Sequence, residues 1–156
     1  MLYPAHFGTD PLFPKSTDFE VVYKDESTGK GVICYRAFKR GEIIARMSGE
    51  VISDIRQHTL QISEDKHLYD TYFSGYFLHS CSPNISLDMD KMTVTALKDI
   101  QPDSYLYMDY AETEDRLFKQ FPCSCGANNC RGWVGGKKDM TPAVMQEQTA
   151  AIHQSL

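Results

Sequence analysis

Three thiols stand within eight residues, at Cys123, Cys125 and Cys130. Thiolates this close bind soft divalent cations, and a closed structural zinc site takes four ligands in a tetrahedron. The spacing is C-x-C-x4-C, so the fourth ligand must come from elsewhere, with Cys34, Cys81 and the five histidines as candidates. Cysteine is also a small buried apolar residue, but three of them in a stretch rich in Gly, Asn and Arg suit metal better than packing. Cys81 lies in Phe77-Leu78-His79-Ser80-Cys81-Ser82-Pro83-Asn84, where Pro83 fixes a bend. A Cys81 nucleophile served by His79 is a second chemistry for that block, and zinc ligation would consume the thiolate it needs. Six tyrosines, 69, 72, 76, 105, 107 and 110, fall within 42 positions and offer apolar ring faces with a hydroxyl at the rim. Tyrosine is also an ordinary strand-face residue.

Two phosphate-binding patterns fail. Gly29-Lys30-Gly31 has Cys34 where a dinucleotide fingerprint needs its last glycine. Gly132 to Gly136 is one residue short of a phosphate loop, and no Ser or Thr follows the lysine. The acidic group Asp109, Glu112, Glu114 and Asp115 could draw a basic peptide, and is equally the pattern of a solvated face.

The elements that must position these residues are short strands. Residues 19–23, 31–35, 43–47, 50–52 and 58–62 read as strands, with turns at 25–29, 39–42, 48–49 and 63–66. Residues 85–89 and 92–98 read as a hairpin around Asp90-Lys91, and 106–108 as one more strand. Residues 1–18, with three prolines, read as an irregular arm. The one helical pattern opens at Thr141 and Pro142 and covers 143–153. Many short strands with frequent turns indicate an α+β, β-rich fold rather than a βαβ repeat.

The 156 residues and 17.7 kDa suit one domain with a sizeable core. Lys plus Arg total 16 against 21 acidic residues, a formal charge of −5. No basic face is available for phosphates, so nucleic acid is not the expected partner, and a basic peptide is the better match. No apolar run reaches the ~18–20 residues of a membrane span, and the start lacks the marks of a secretion signal. The odd cysteine count suits a reducing compartment, so the expected location is intracellular: the cytoplasm, or the nucleus in a eukaryote.

Four blocks in fixed order, Gly29-Lys30-Gly31-Val32, His79-Ser80-Cys81-Ser82-Pro83-Asn84, Met108-Asp109-Tyr110, and Cys123-Ser124-Cys125 with Cys130-Arg131-Gly132-Trp133, resemble a SET domain with a post-SET zinc motif. That is the fold of most protein-lysine methyltransferases, and this chain is similar to the minimal stand-alone form. The resemblance covers about residues 20–134 and implies several short curled sheets with a pseudoknot. It divides the chain into an arm (1–18), the SET domain (19–111), the post-SET motif (112–135) and a tail with a short helix (136–156).

The resemblance implies S-adenosylmethionine as cofactor and one structural zinc held by Cys81, Cys123, Cys125 and Cys130. It places Lys30 and Gly31 near the cofactor's carboxylate end, Leu78 and His79 in the threaded segment beside the adenine, and Trp133 over the cofactor. Tyr110 becomes the catalytic tyrosine and a further cofactor contact, with Tyr72 and Met108 in the substrate channel. A ligand at Cys81, 42 positions before Cys123, would pin the tail loop beside His79 and make metal binding part of folding the site. The chain departs from the pattern in four places. Leu78 replaces an Asn that contacts the cofactor's amino group, Gly75 an Arg, Met108 an aromatic residue that tunes methyl number, and Asp103-Ser104-Tyr105-Leu106 the usual G-E-E-L. The expected activity is N-methylation of a protein lysine. Methylation of a small amine, or a zinc- and cofactor-binding module without catalysis, are the alternatives.

Overall fold

The structure, a computed structural model, describes residues 1–139. In chain order its strands are β1 (Phe19–Asp25), β2 (Gly29–Cys34), β3 (Ile43–Arg46), β4 (Glu50–Ile52), β5 (Thr59–Ser63), β6 (Lys66–Tyr69), β7 (Leu78–His79), β8 (Ile85–Asp88), β9 (Thr93–Ala96) and β10 (Tyr107–Met108). The helix α1 (Tyr110–Thr113) and strands β11 (Phe121–Pro122) and β12 (Trp133–Val134) follow. They form five small sheets: β1-β2, β3-β9-β8, β4-β6-β5, β10-β7 and β11-β12. The expected helix over 143–153 lies outside the described residues. Among those described, no helix is long and apolar enough to cross a membrane.

The local causes are visible in the turns. The β1-β2 hairpin closes where the Asp25 carboxylate accepts from the Thr28 amide (2.7 Å) and the Ser27 hydroxyl, and Gly29 takes φ +79°. The expected 85–89/92–98 hairpin forms as β8-β9, shortened because Met92 takes φ 58° to close the turn. The polar stretch after 63 hides a strand. β6 is the middle strand of its sheet, with His67 and Leu68 buried between β4 and β5.

Phenylalanines organise the core. Phe19 stacks on Phe38 and meets Phe73 edge-on at 5.1 Å, and Phe73 meets Phe77 at 5.0 Å. Met108, Leu106, Ile85 and Val94 are fully enclosed in the same core. The N-terminal stretch is part of this core, since Tyr3 and Phe13 are both buried.

Residues 104–108 run between two neighbours. On one side the Cys34 amide donates to Ser104 and the Leu106 amide to Val32. On the other, the Leu78 amide donates to Leu106 and the Ser80 amide to Met108, in a parallel β7-β10 pair. Parallel pairing here brings Tyr107 against Leu78 and Met108 against His79.

Candidate active site and metal centre

Asn84 fastens the threaded segment. Its side-chain amide donates to the Tyr105 carbonyl (2.9 Å), its side-chain oxygen accepts from the Tyr107 amide (2.8 Å), and its own backbone amide donates to the Tyr107 carbonyl (3.0 Å). Pro83 and Asn84 thus give the His-Ser-Cys block a fixed place beside β10. The consequence is that Cys81 and Tyr110 lie on the same end of the fold.

The sulfurs of Cys81, Cys123, Cys125 and Cys130 all lie within 4.8 Å of one another, with Cys81 and Cys123 at 3.9 Å. Zinc–sulfur bonds of about 2.3 Å put tetrahedral sulfurs close to 3.8 Å apart, so four convergent thiols fit zinc in both number and softness. The upstream alternative Cys34 is instead buried near Gln101. Backbone amides of Cys81 and Ala127 hold the Cys125 thiol down to about 6, a ready thiolate. Burial pushes Cys123 up to about 12, a cost that a divalent cation removes. Two further groups hold the Cys81 end: the Arg131 amide donates to its sulfur at 3.4 Å, and the Asn129 side chain donates to its carbonyl at 3.0 Å.

His79 connects this cluster to Tyr110. Its side chain is 2 % exposed, and burial lowers its pKa to about 4, with the Asp109 charge opposing that fall and the Arg131 charge adding to it. The imidazole is therefore neutral at physiological pH. The Tyr110 amide donates to Nδ1 at 3.1 Å, which assigns the ring proton to Nε2, facing the Cys81 sulfur at 3.6 Å. An N–H aimed at the Cys81 sulfur from outside the cluster can orient that ligand as an outer-shell partner. Arg131 adds a second link, since Nη2 donates to the Asp109 carboxylate at 2.7 Å. The same Asp109 oxygen caps α1 by accepting from the Ala111 amide.

The Tyr110 hydroxyl donates to the Phe77 carbonyl at 2.6 Å, and its ring lies 5.2 Å from His79 and 6.3 Å from Phe121. Burial, then the nearby Glu114 charge, push the phenol pKa upward, so it stays a neutral donor. The helix that carries it is tied down on both flanks. Glu112 accepts from the Leu87 amide of β8, and Glu114 accepts from the Gln61 amide of β5.

Of the other expected site residues, Gly31 and Leu78 come together. A Cβ on Gly31 would stand 2.8 Å from the Leu78 side chain and 3.1 Å from the Tyr105 ring, so a larger residue here would push Leu78 out of its place. Lys30 lies exposed beside Gly31, opposite Tyr23. Trp133 pairs with Pro122 and donates from its indole to Gln120 at 2.8 Å, which sets it next to Phe121, whose ring neighbours Tyr110. Met108 is fully buried against His79. Tyr72 is 41 % exposed, and its ring neighbours are Phe7 and Tyr3 of the N-terminal stretch rather than Tyr110. A cleft of about 470 Å³ borders the cysteine loop at Cys125, Gly126 and Ala127, lined also by Ser80, Ser82 and Tyr107, but not by Tyr110.

Phe77, Asp109 and Arg131 enter the site unannounced by their types. Phe77 contributes only its carbonyl, which no side-chain pattern reveals. Asp109 and Arg131 lie within the Met108-Asp109-Tyr110 and Cys130-Arg131-Gly132-Trp133 blocks, and their pairing needs the fold to bring position 131 back to 109.

The SET domain family model matches residues 29–111, over half the chain. Histone-lysine N-methyltransferase Set2 of Drosophila melanogaster is 30 % identical over 149 residues, an alignment covering 76 % of this chain and 6 % of that protein. Methyltransferase flvH of Aspergillus flavus is 30 % identical over 130 residues, covering 74 % of this chain and 71 % of the relative. The chain thus spans a small fraction of the first relative and most of the second. Among solved structures, KRYPTONITE in complex with mCHG DNA and SAH aligns at TM-score 0.60 and 24 % identity, over 74 % of this chain and 29 % of that one. The methyltransferase domain of human histone-lysine N-methyltransferase SETMAR aligns at TM-score 0.59 and 20 % identity, over 76 % and 58 %. These two likenesses establish the fold.

Proposed function

Because the chain belongs to the SET-domain family, we propose that it is an S-adenosylmethionine-dependent N-methyltransferase acting on a protein lysine inside the cell, in cytoplasm or nucleus. The observation that carries this reading is the pair of oxygens, Tyr110 Oη and Phe77 O, 2.6 Å apart beside the neutral His79 and the four-thiol cluster.

In this reading zinc is the clasp held by Cys81, Cys123, Cys125 and Cys130, and it takes no part in chemistry. Lys30, Gly31, Leu78, His79, Tyr110 and Trp133 would hold S-adenosylmethionine, which when bound would supply an electron-poor methyl group on a sulfonium. The free lone pairs of the Tyr110 and Phe77 oxygens suit such a methyl, whose polarised C–H bonds are weak donors. The protein's principal work is orientation, since a displacement needs nitrogen, carbon and sulfur in line, and fixed geometry can supply about 7–11 kcal/mol of the barrier. A lysine amine with pKa near 10.4 must arrive neutral, and an enclosed apolar wall of Met108 and aromatic rings disfavours its charged form. Tyr110 then orients the amine as a neutral hydroxyl. Leu78, in place of an amide side chain, packs on Gly31 and would offer the cofactor an apolar contact rather than a hydrogen bond.

A second reading, methylation of a small amine, draws on one comparison. The relative this chain matches over most of its length is named a methyltransferase without a histone substrate. One experiment separates the two readings. The full chain is incubated with methyl-labelled S-adenosylmethionine and a cell extract, and label is sought by mass spectrometry. Label on lysine Nζ in protein supports the first reading, label confined to small amines the second, and label in neither overturns both.

A further inference from the structure

Asp70 is fully buried, and among the described residues no Lys or Arg pairs with it. Its charge is met entirely by neutral donors. Oδ1 accepts from the Tyr72 and Phe73 amides at 2.9 and 3.0 Å, and Oδ2 accepts from the Ser74 amide at 2.8 Å and from the Ser74 hydroxyl. The last donor, at 2.7 Å, is the hydroxyl of Tyr3, from the far N-terminal end of the chain. Tyr3 is 3 % exposed, and burial followed by the Asp70 charge pushes its phenol pKa upward, so it remains a donor. The Ser48 amide donates to the same hydroxyl at 3.0 Å, and the Phe13 ring meets Tyr3 edge-on at 5.3 Å.

From this carboxylate a continuous chain of bonds reaches Tyr110. Ser74 is held by Asp70, the Phe77 amide donates to the Ser74 carbonyl at 3.2 Å, and the Phe77 carbonyl accepts from the Tyr110 hydroxyl. The turn is wound too tightly to absorb a displacement internally, because a Cβ on Gly75 would collide with the Asp70 carbonyl, so it shifts as a unit. A buried carboxylate stripped of one donor must recover it by moving, since leaving it short costs free energy. The group free to move is the 70–77 turn, and the atom it carries is the Phe77 carbonyl.

We propose that Tyr3 is a positioning residue: through Asp70 and the 70–77 turn it fixes the Phe77 carbonyl, and hence the Tyr110 hydroxyl, in the geometry methyl transfer needs. This rests on the methyl-transfer reading above.

Tyr3→Phe keeps the buried ring and removes one oxygen. Its control is Val94→Ala, a fully buried β9 residue outside the site that also lowers stability. We expect kcat to fall roughly tenfold in Tyr3→Phe with KM for cofactor and amine held within about twofold, the scale at which small displacements near reacting atoms act. Val94→Ala, matched in thermal midpoint, keeps kcat. Unchanged kcat in Tyr3→Phe, or equal falls in both variants, overturns the proposal. Hydrogen exchange at the Phe77 amide decides the matter without turnover: about tenfold faster exchange in Tyr3→Phe and not in Val94→Ala is expected, and equal rates overturn it. A wild-type chain with no transferase activity defeats the methyl-transfer reading, and the exchange result then still tests the Tyr3 hold on Phe77.

Discussion

The hydroxyl of Tyr110 is bonded to the carbonyl of Phe77, 33 residues earlier in the chain. The pair exists because β7 and β10 run parallel, which sets the ends of two distant segments side by side. Removing the hydroxyl leaves the ring packing against His79 and Phe121 in place. Tyr110→Phe is expected to fold and to bind S-adenosylmethionine within a few-fold of wild type by calorimetry. Its turnover is expected to drop about 100-fold, as when one oriented donor is lost from a reacting centre. Wild-type turnover would remove Tyr110 from the mechanism.

Asn84 makes two side-chain bonds to residues 105–107, both partly buried. Asn84→Ala leaves a carbonyl and an amide without partners, at about 3 kcal/mol together. Urea unfolding checks this, with a loss below about 1 kcal/mol showing that water replaces the amide.

Glu114 is buried, and burial raises its pKa above the ordinary 4.5. The folded carboxyl holds its proton more tightly than the unfolded one, so its contribution favours the fold at acid pH. That contribution is lost as pH rises through the folded value. Glu114→Gln cannot ionise and keeps an oxygen for the Gln61 amide. Its denaturation midpoint is expected to gain on wild type as pH rises above 4.5 and through the folded value, then to level off. A constant difference across that range would show that the carboxyl is not displaced.

Met108 is fully buried, and in the proposed channel role its flexible side chain brings no hydroxyl to hold a water. More than one methyl is therefore expected on a single amine at saturating cofactor, read by mass spectrometry. A strictly monomethylated product would contradict this account of Met108.

Much of this was legible in the residues. The order of the Gly29, His79, Tyr110 and Cys123 blocks pointed to the fold, and the hairpins around 25–29 and 90–91 follow from their turn chemistry. Cys81 was one candidate among several until the resemblance singled it out, and the sulfur distances agree. Strand β6 escaped notice because Lys66–Tyr69 carries too few residues to show alternation, and it is a strand only because β4 and β5 flank it. The one-turn helix α1 and the two-residue strands β7, β11 and β12 are likewise set by distant partners. Residues 1–18 read as an irregular arm, yet Tyr3 is buried on Asp70, 67 positions away. Nothing local to either residue announces that bond.

The central claim is that one zinc ion, shared between Cys81 and the tail cysteines, holds the tail loop against His79 and completes the site around Tyr110. The most direct test strips the full chain of metal, returns zinc in steps, and follows S-adenosylmethionine binding by calorimetry at each step. The account predicts that binding is lost without metal and returns in proportion to zinc, saturating at about one ion per chain for a four-thiolate site. A metal-free chain that stays folded and binds the cofactor as tightly as the zinc-loaded one would contradict it.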